Sequence, residues 1–207
     1  MTRFRGLKIV IVGGFGAGKT TMVGAVSEIE PLSTEETITE ASSRVDSLDG
    51  VEEKTTTTAA LDFGRITFPP PLDRVLYLFG ASGQERFAFM WDELSHGAVG
   101  AVVLADTRRI ADSFPAVGYC ERHGLPFVVA VNQFQTAEHT YTPEEVRDAL
   151  DVSPEVPVLL CDARDRSSAL DVLITVVRHA RDQARARAGL VPAGGAGAAL
   201  DRKDTAR

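Results

Sequence analysis

The glycine-rich run Gly13-Gly14-Phe15-Gly16-Ala17-Gly18-Lys19-Thr20 constrains this chain more than any other segment. It fits the phosphate-loop pattern G-x-x-x-x-G-K-[ST], and both flanks are of the kind the pattern requires. Leu7-Lys8-Ile9-Val10-Ile11-Val12 before it is apolar and β-branched, as in a buried strand. Residues 21–28 after it continue as a helix. Glycines let the backbone approach an anion without Cβ clashes, and the loop N–H groups then converge at the positive end of that helix. In this motif Lys19 reaches the β- and γ-phosphates, and the Thr20 hydroxyl is a ligand for Mg²⁺.

The 207 residues suit one domain with a core, plus a tail. No apolar run is long enough to span a bilayer, so membrane recruitment would be indirect. The net charge of −7 argues against a nucleic-acid binder. Its excess is local. Between Glu28 and Glu53 the acids Glu30, Glu35, Glu36, Glu40, Asp46, Asp49 and Glu52 face only Arg44. That stretch is either a solvated loop or a docking surface for a basic partner. Cys120 and Cys161 read as small buried thiols in a reducing, cytoplasmic setting. The four histidines have no metal-ligand spacing.

Along the chain, residues 31–58 are polar and read as a long functional loop. Strands are expected over 59–68 and 74–79, joined as a hairpin across Pro69-Pro70-Pro71, and then over 99–105, 127–131 and 156–160. Helices are expected over 88–94, 109–122, 143–150 and 167–188. Thr142 is an N-cap with Pro143 in the first turn, and Pro115 sits awkwardly inside its helix. The expected fold is α/β: a six-stranded, mostly parallel sheet with one antiparallel edge strand and helices on both faces. Residues 1–188 form the domain, and 189–207, rich in Gly and Ala and then charged, read as a disordered tail.

The third expected strand runs into Gly80-Ala81-Ser82-Gly83-Gln84-Glu85-Arg86-Phe87. Ligands in open α/β sheets bind beyond the carboxyl ends of strands, so this loop should face the phosphate loop. Here the chain resembles the Ras-like small GTPases, whose switch II motif is D-x-x-G-Q-E. More narrowly, it is similar to the MglA-like bacterial branch and to the GTPase component of actinobacterial conservon operons. The matching phrases are residues 13–21, Leu61-Asp62-Phe63-Gly64-Arg65-Ile66, residues 78–87 with Met90-Trp91-Asp92-Glu93-Leu94, and Leu159-Leu160-Cys161-Asp162-Ala163-Arg164-Asp165.

The resemblance implies a P-loop G domain that binds GTP or GDP with Mg²⁺ and hydrolyses GTP slowly. The nucleotide would lie on Gly13, Gly14, Phe15, Gly16, Ala17, Gly18, Lys19, Thr20 and Thr21. Gly83 would offer its amide to the γ-phosphate, and Gln84 would orient the attacking water, with Lys19 the other catalytic group. Thr58, or Thr57 beside it, would be the switch I threonine at Mg²⁺. Asn132, Gln133 and Gln135 stand where N-K-x-D reads guanine, and the Ala163 N–H would meet its O6. Trp91 would anchor the helix after switch II or serve an effector surface. The implied partners are a roadblock-type regulatory protein, a sensor-kinase-like membrane protein and a small regulatory protein.

Three positions depart from the family. Gly80 replaces the switch II Asp, which leaves Asp62 as a candidate substitute carboxylate. Phe15 is bulky where a small residue is usual. It would either obstruct an arginine finger or fold back onto the sheet end. Gln135 offers one acceptor where an Asp would accept two guanine N–H bonds, which weakens guanine preference. No in-chain arginine finger is evident beyond the weak candidates Arg44 and Arg86. The competing reading is a nucleotide-binding interaction module with little hydrolysis or with relaxed GTP/ATP specificity.

Overall fold

A computed structural model describes residues 5–39, 56–83, 88–134 and 139–189, with the backbone alone at 5, 34–39, 56–60 and 88. The elements run β1 (Arg5–Gly13), α1 (Lys19–Val26), β2 (Leu32–Thr39), β3 (Thr56–Phe68), β4 (Arg74–Ser82), α2 (Ala88–Ser95), β5 (Gly100–Ala105), a 3-10 turn (Thr107–Ser113), α3 (Phe114–His123), β6 (Phe127–Asn132), α4 (Pro143–Leu150), β7 (Val158–Cys161) and α5 (Arg166–Arg187). The strands form one sheet in the order β2-β3-β4-β1-β5-β6-β7.

The strands at the centre of this sheet are apolar on both faces, because helices cover both. On one face Ile9, Ile11, Leu78, Val102, Leu104, Val128 and Ala130 pack against Met22, Val23 and Val26 of α1 and Val172, Leu173 and Val176 of α5. On the other face Val10, Val12, Val103, Val129 and Val131 pack against Trp91 of α2, Val117 and Cys120 of α3, and Val146 and Leu150 of α4. Successive residues alternate between the two clusters, as the two-residue strand period requires. Cys120 and Cys161 are free, buried thiols, and burial pushes each up to about 12.

Among the described residues the sheet has seven strands rather than six. Residues 32–39, read as part of a loop, form β2 and pair antiparallel with β3 from Leu32 opposite Phe63 to Thr39 opposite Thr56. Thr34, Thr37, Ile38 and Thr39 supply the β-propensity, and an edge strand tolerates the polar remainder. The strand that runs against the rest among the described residues is β3, antiparallel to both neighbours, and it is not at the edge. Arg109, the expected start of a helix, instead sits in the 3-10 turn, and α3 begins at Phe114 with Pro115 in its first turn. There the missing N–H costs nothing, which resolves that proline. The cap at Thr142 is a capping box with Glu145, and Asp165 caps α5 by accepting from Ser168 N. Gln84, Gln135, Arg44, Arg86 and the expected tail from residue 190 lie outside the described residues. No helix among the described residues is long and apolar enough to cross a membrane.

Candidate functional site

β1 lies between β4 and β5, with connections leaving in opposite directions, so the loop after β1 opens into the crevice of the sheet. That loop is residues 14–18. Gly18 precedes α1 at φ 104°, a left-handed conformation that a side chain would strain. A Cβ there would also meet Asn132 Nδ2 at 2.6 Å. The backbone therefore turns tightly into α1 and places Lys19 and Thr20 in its first turn.

The Lys19 ammonium donates to Gly13 O at 3.0 Å and Gly14 O at 2.9 Å, lying along the inside of the loop. Burial lowers its pKa, the nearby Asp62 carboxylate raises it, and Arg109 lowers it again. The net effect is downward. The Gly83 N–H donates to Gly13 O at 2.8 Å, so the end of β4 touches the phosphate loop. Phe15 is 75% exposed and does not fold back onto the sheet end.

Asp62 is the centre of a second cluster. It is 3% exposed and accepts from Thr20 Oγ1 at 2.7 Å and from Ser33 Oγ at 2.6 Å. In the antiparallel register Asp62 faces Gly80 directly. A Cβ on Gly80 would lie 3.0 Å from Asp62 Oδ2. A carboxylate from β3 thus reaches Thr20 through room that Gly80 leaves on β4. A threonine hydroxyl beside a buried carboxylate is a hard-oxygen donor set of the kind Mg²⁺ takes, so these residues fit that ion. Thr58 is not brought to them. It pairs with Thr37 four residues along β3 from Asp62, about 13 Å at the usual strand rise.

On the other side, Asn132 ends β6 and is buried. Its Nδ2 donates to Ala17 O at 2.9 Å and its Oδ1 accepts from Ala163 N at 3.0 Å. It therefore ties the phosphate loop to the turn before α5. The Ala163 amide is donated to Asn132 in this arrangement. Gln133 N donates to Cys161 O at 2.7 Å, and its side chain reaches Val131 O at 3.4 Å. Arg164 clasps Asp162 through Nε at 2.9 Å and Nη2 at 2.7 Å, and this hydrogen bonding holds the Asp162 carboxyl down to about 2.

The 3-10 turn adds residues that the sequence reading missed. Arg108 donates to Asp106 through Nε and Nη2 and stacks its guanidinium 3.7 Å from the Phe134 ring centroid. Asp112 and Arg109 lie against the phosphate loop itself. The Asp112 Cβ is 2.7 Å from where a Cβ on Gly14 would sit, and Arg109 Nη2 is 3.7 Å from the equivalent point on Gly16. The sequence signal available was Asp106 ahead of two arginines at a strand end, which reads equally as an ordinary turn. A groove of about 690 Å³ between α5 and Val99 and Pro126 lies at the opposite ends of the strands.

A family model described as conserved hypothetical ATP binding protein matches residues 11–183. No curated protein matches the chain. The G domain of the T. maritima FeoB iron transporter is 14% identical with a TM-score of 0.56, over 85% of this chain and 99% of that one. The cytosolic domain of the same transporter, in GDP form I, is 13% identical with a TM-score of 0.58, over 87% of this chain and 65% of that one. The FeoB G-domain from Methanococcus jannaschii is 11% identical with a TM-score of 0.54, over 86% of this chain and all of that one. At such identities the likeness is one of fold, and the fold is that of a P-loop G domain.

Proposed function

We propose, on the premise that this chain belongs to the family of conserved hypothetical ATP binding proteins, that it is a small nucleotide switch. It binds GTP, hydrolyses it slowly to GDP, and presents partners with different surfaces in the two states. The observation that carries the reading is the convergence of Lys19, Thr20 and the buried Asp62 on one glycine loop. Lys19 exchanges loop carbonyls for phosphate oxygens, to which its charge is better matched. The Gly83 amide, now on Gly13 O, is the donor that a terminal phosphate draws away, so the end of β4 responds to the third phosphate. Mg²⁺ would be held by Thr20 and, directly or through water, by Asp62, and would neutralise phosphate charge.

A second base is favoured by a specific observation. Gln135 takes the position where an Asp would accept two guanine donors, and the matched family is described as ATP binding. Relaxed GTP/ATP choice is therefore part of the proposal. So are the MglA-like and conservon placement, its roadblock-type, sensor-kinase-like and small regulatory partners, and a cytoplasmic location.

Calorimetry of the full chain with GTP, GDP and ATP in millimolar Mg²⁺ tests the reading. A saturable heat that Lys19→Ala abolishes is expected. No heat with any of the three nucleotides would refute it.

A further inference from the structure

Two consecutive arginines leave β5 and go separate ways. Arg108 is clamped on Asp106 and stacked on Phe134. At Arg109 the 3-10 turn breaks: its backbone takes φ −146° and ψ 53°, outside helical values, while its N–H still donates to Asp106 O at 2.9 Å. The break lays the Arg109 side chain across the phosphate loop, with Nη2 3.7 Å from the position of a Gly16 Cβ.

We propose that Arg109 is a second phosphate-contacting cation of this site, supplied by the chain itself from the turn after β5. The inference rests on the nucleotide-switch reading and adds to it a residue that discriminates the triphosphate. Its present partner is weak. Arg109 Nε is 3.6 Å from Asp112 Oδ2, and both side chains are about half exposed. A surface pair of this kind contributes little. A phosphate carries more charge and accepts two guanidinium N–H groups at once, so it outcompetes Asp112. Asp112 then holds the guanidinium near the loop without saturating it. The charge of Arg109 is also felt at Lys19, whose ammonium lies on the loop carbonyls. The two cations therefore address one anion site.

In the hydrolysis the oxygen of water forms a bond to the γ-phosphorus. The bond from that phosphorus to the β–γ bridging oxygen breaks, and its electron pair stays on the departing nucleoside diphosphate. The proton of the water leaves with the inorganic phosphate or to solvent. Arg109 donates N–H groups to the bridging and terminal oxygens, where charge grows.

The test uses the full chain, Arg109→Ala and Arg109→Lys. Affinities for GDP and for a non-hydrolysable GTP analogue are measured with Mg²⁺, together with single-turnover GTP hydrolysis. Arg109→Ala is expected to slow hydrolysis at least about tenfold and to weaken the analogue several-fold. GDP affinity should stay within about twofold, which also reports an intact fold, and Arg109→Lys should fall between. If Arg109→Ala keeps both the rate and the analogue affinity within about twofold, the proposal is overturned. It is equally overturned if GDP and the analogue weaken together, since Arg109 would then merely prop the loop. A natural chain that binds neither nucleotide refutes the switch reading, and this inference with it.

Discussion

Because Asp62 and Gly80 face each other across the β3–β4 pair, the carboxylate can be moved between strands by exchanging two residues. Gly80→Asp alone builds a Cβ 3.0 Å from Asp62 Oδ2 and brings a second carboxylate beside the first. Two like charges about 4 Å apart repel by about 4 kcal/mol at an effective dielectric of about 20. Overpacking adds about 1–3 kcal/mol, and relaxation of the strands recovers part of the total. Gly80→Asp should therefore lose about 3–5 kcal/mol in urea denaturation. Adding Asp62→Gly removes both the clash and the repulsion, so the double variant should regain at least half of that loss. The pair is strongly non-additive for this reason. Asp62→Ala by itself strips the acceptor from Thr20 and Ser33. It should raise the Mg²⁺ concentration needed for half-maximal nucleotide binding about 10–100-fold, as loss of such supporting groups does elsewhere. Gly80→Asp as stable as the natural chain would show that Asp62 does not need the room at Gly80, and Asp62→Ala with an unchanged Mg²⁺ titration would show that Asp62 does not support the ion.

Other outcomes follow from the same contacts. Asn132→Ala leaves Ala17 O and Ala163 N without their buried partner and should cost about 2–4 kcal/mol in chemical denaturation; a loss under about 0.5 kcal/mol would mean that Asn132 does not tie the two loops. Trp91 is buried and donates Nε1 to Ser82 O at 2.9 Å, so Trp91→Phe should cost about 1 kcal/mol and Trp91→Ala about 3–5 kcal/mol by thermal or urea unfolding. The Asp162 carboxyl, held down to about 2 against its ordinary 3.8, gives a contribution that is present above pH 3.8 and lost as pH falls through about 2. Its carbon-13 titration should have its midpoint near 2, and Arg164→Ala should return it towards 3.8.

Local chemistry was legible wherever one segment carried both the pattern and its reason. Gly13 to Thr20 between an apolar strand and a helix could be read directly. So could Thr142-Pro143 as a helix start, because capping is decided within four residues, and the structure adds Glu145 as the partner in the cap. Asp62 was legible as a candidate but not as a neighbour of Thr20, since that contact needs the β3–β4 register and the space at Gly80. β2 was missed because Glu35 and Glu36 hide its threonines among loop-like charge, and only pairing with β3 makes an edge strand of it. Arg109 and Asp112 were missed because a short 3-10 turn has no period to detect.

Residue order alone determined the phosphate loop, the alternation of strands and helices and hence a largely parallel sheet. These depend on interactions within a few residues of the chain and on periodic burial. Which carboxylate meets Thr20, which asparagine ties the loop to the turn before α5, and which arginine lies over Gly16 were decided by tertiary structure. Those contacts join groups 42, 31 and 93 positions apart in sequence, and strand order and register bring them within hydrogen-bonding or van der Waals range.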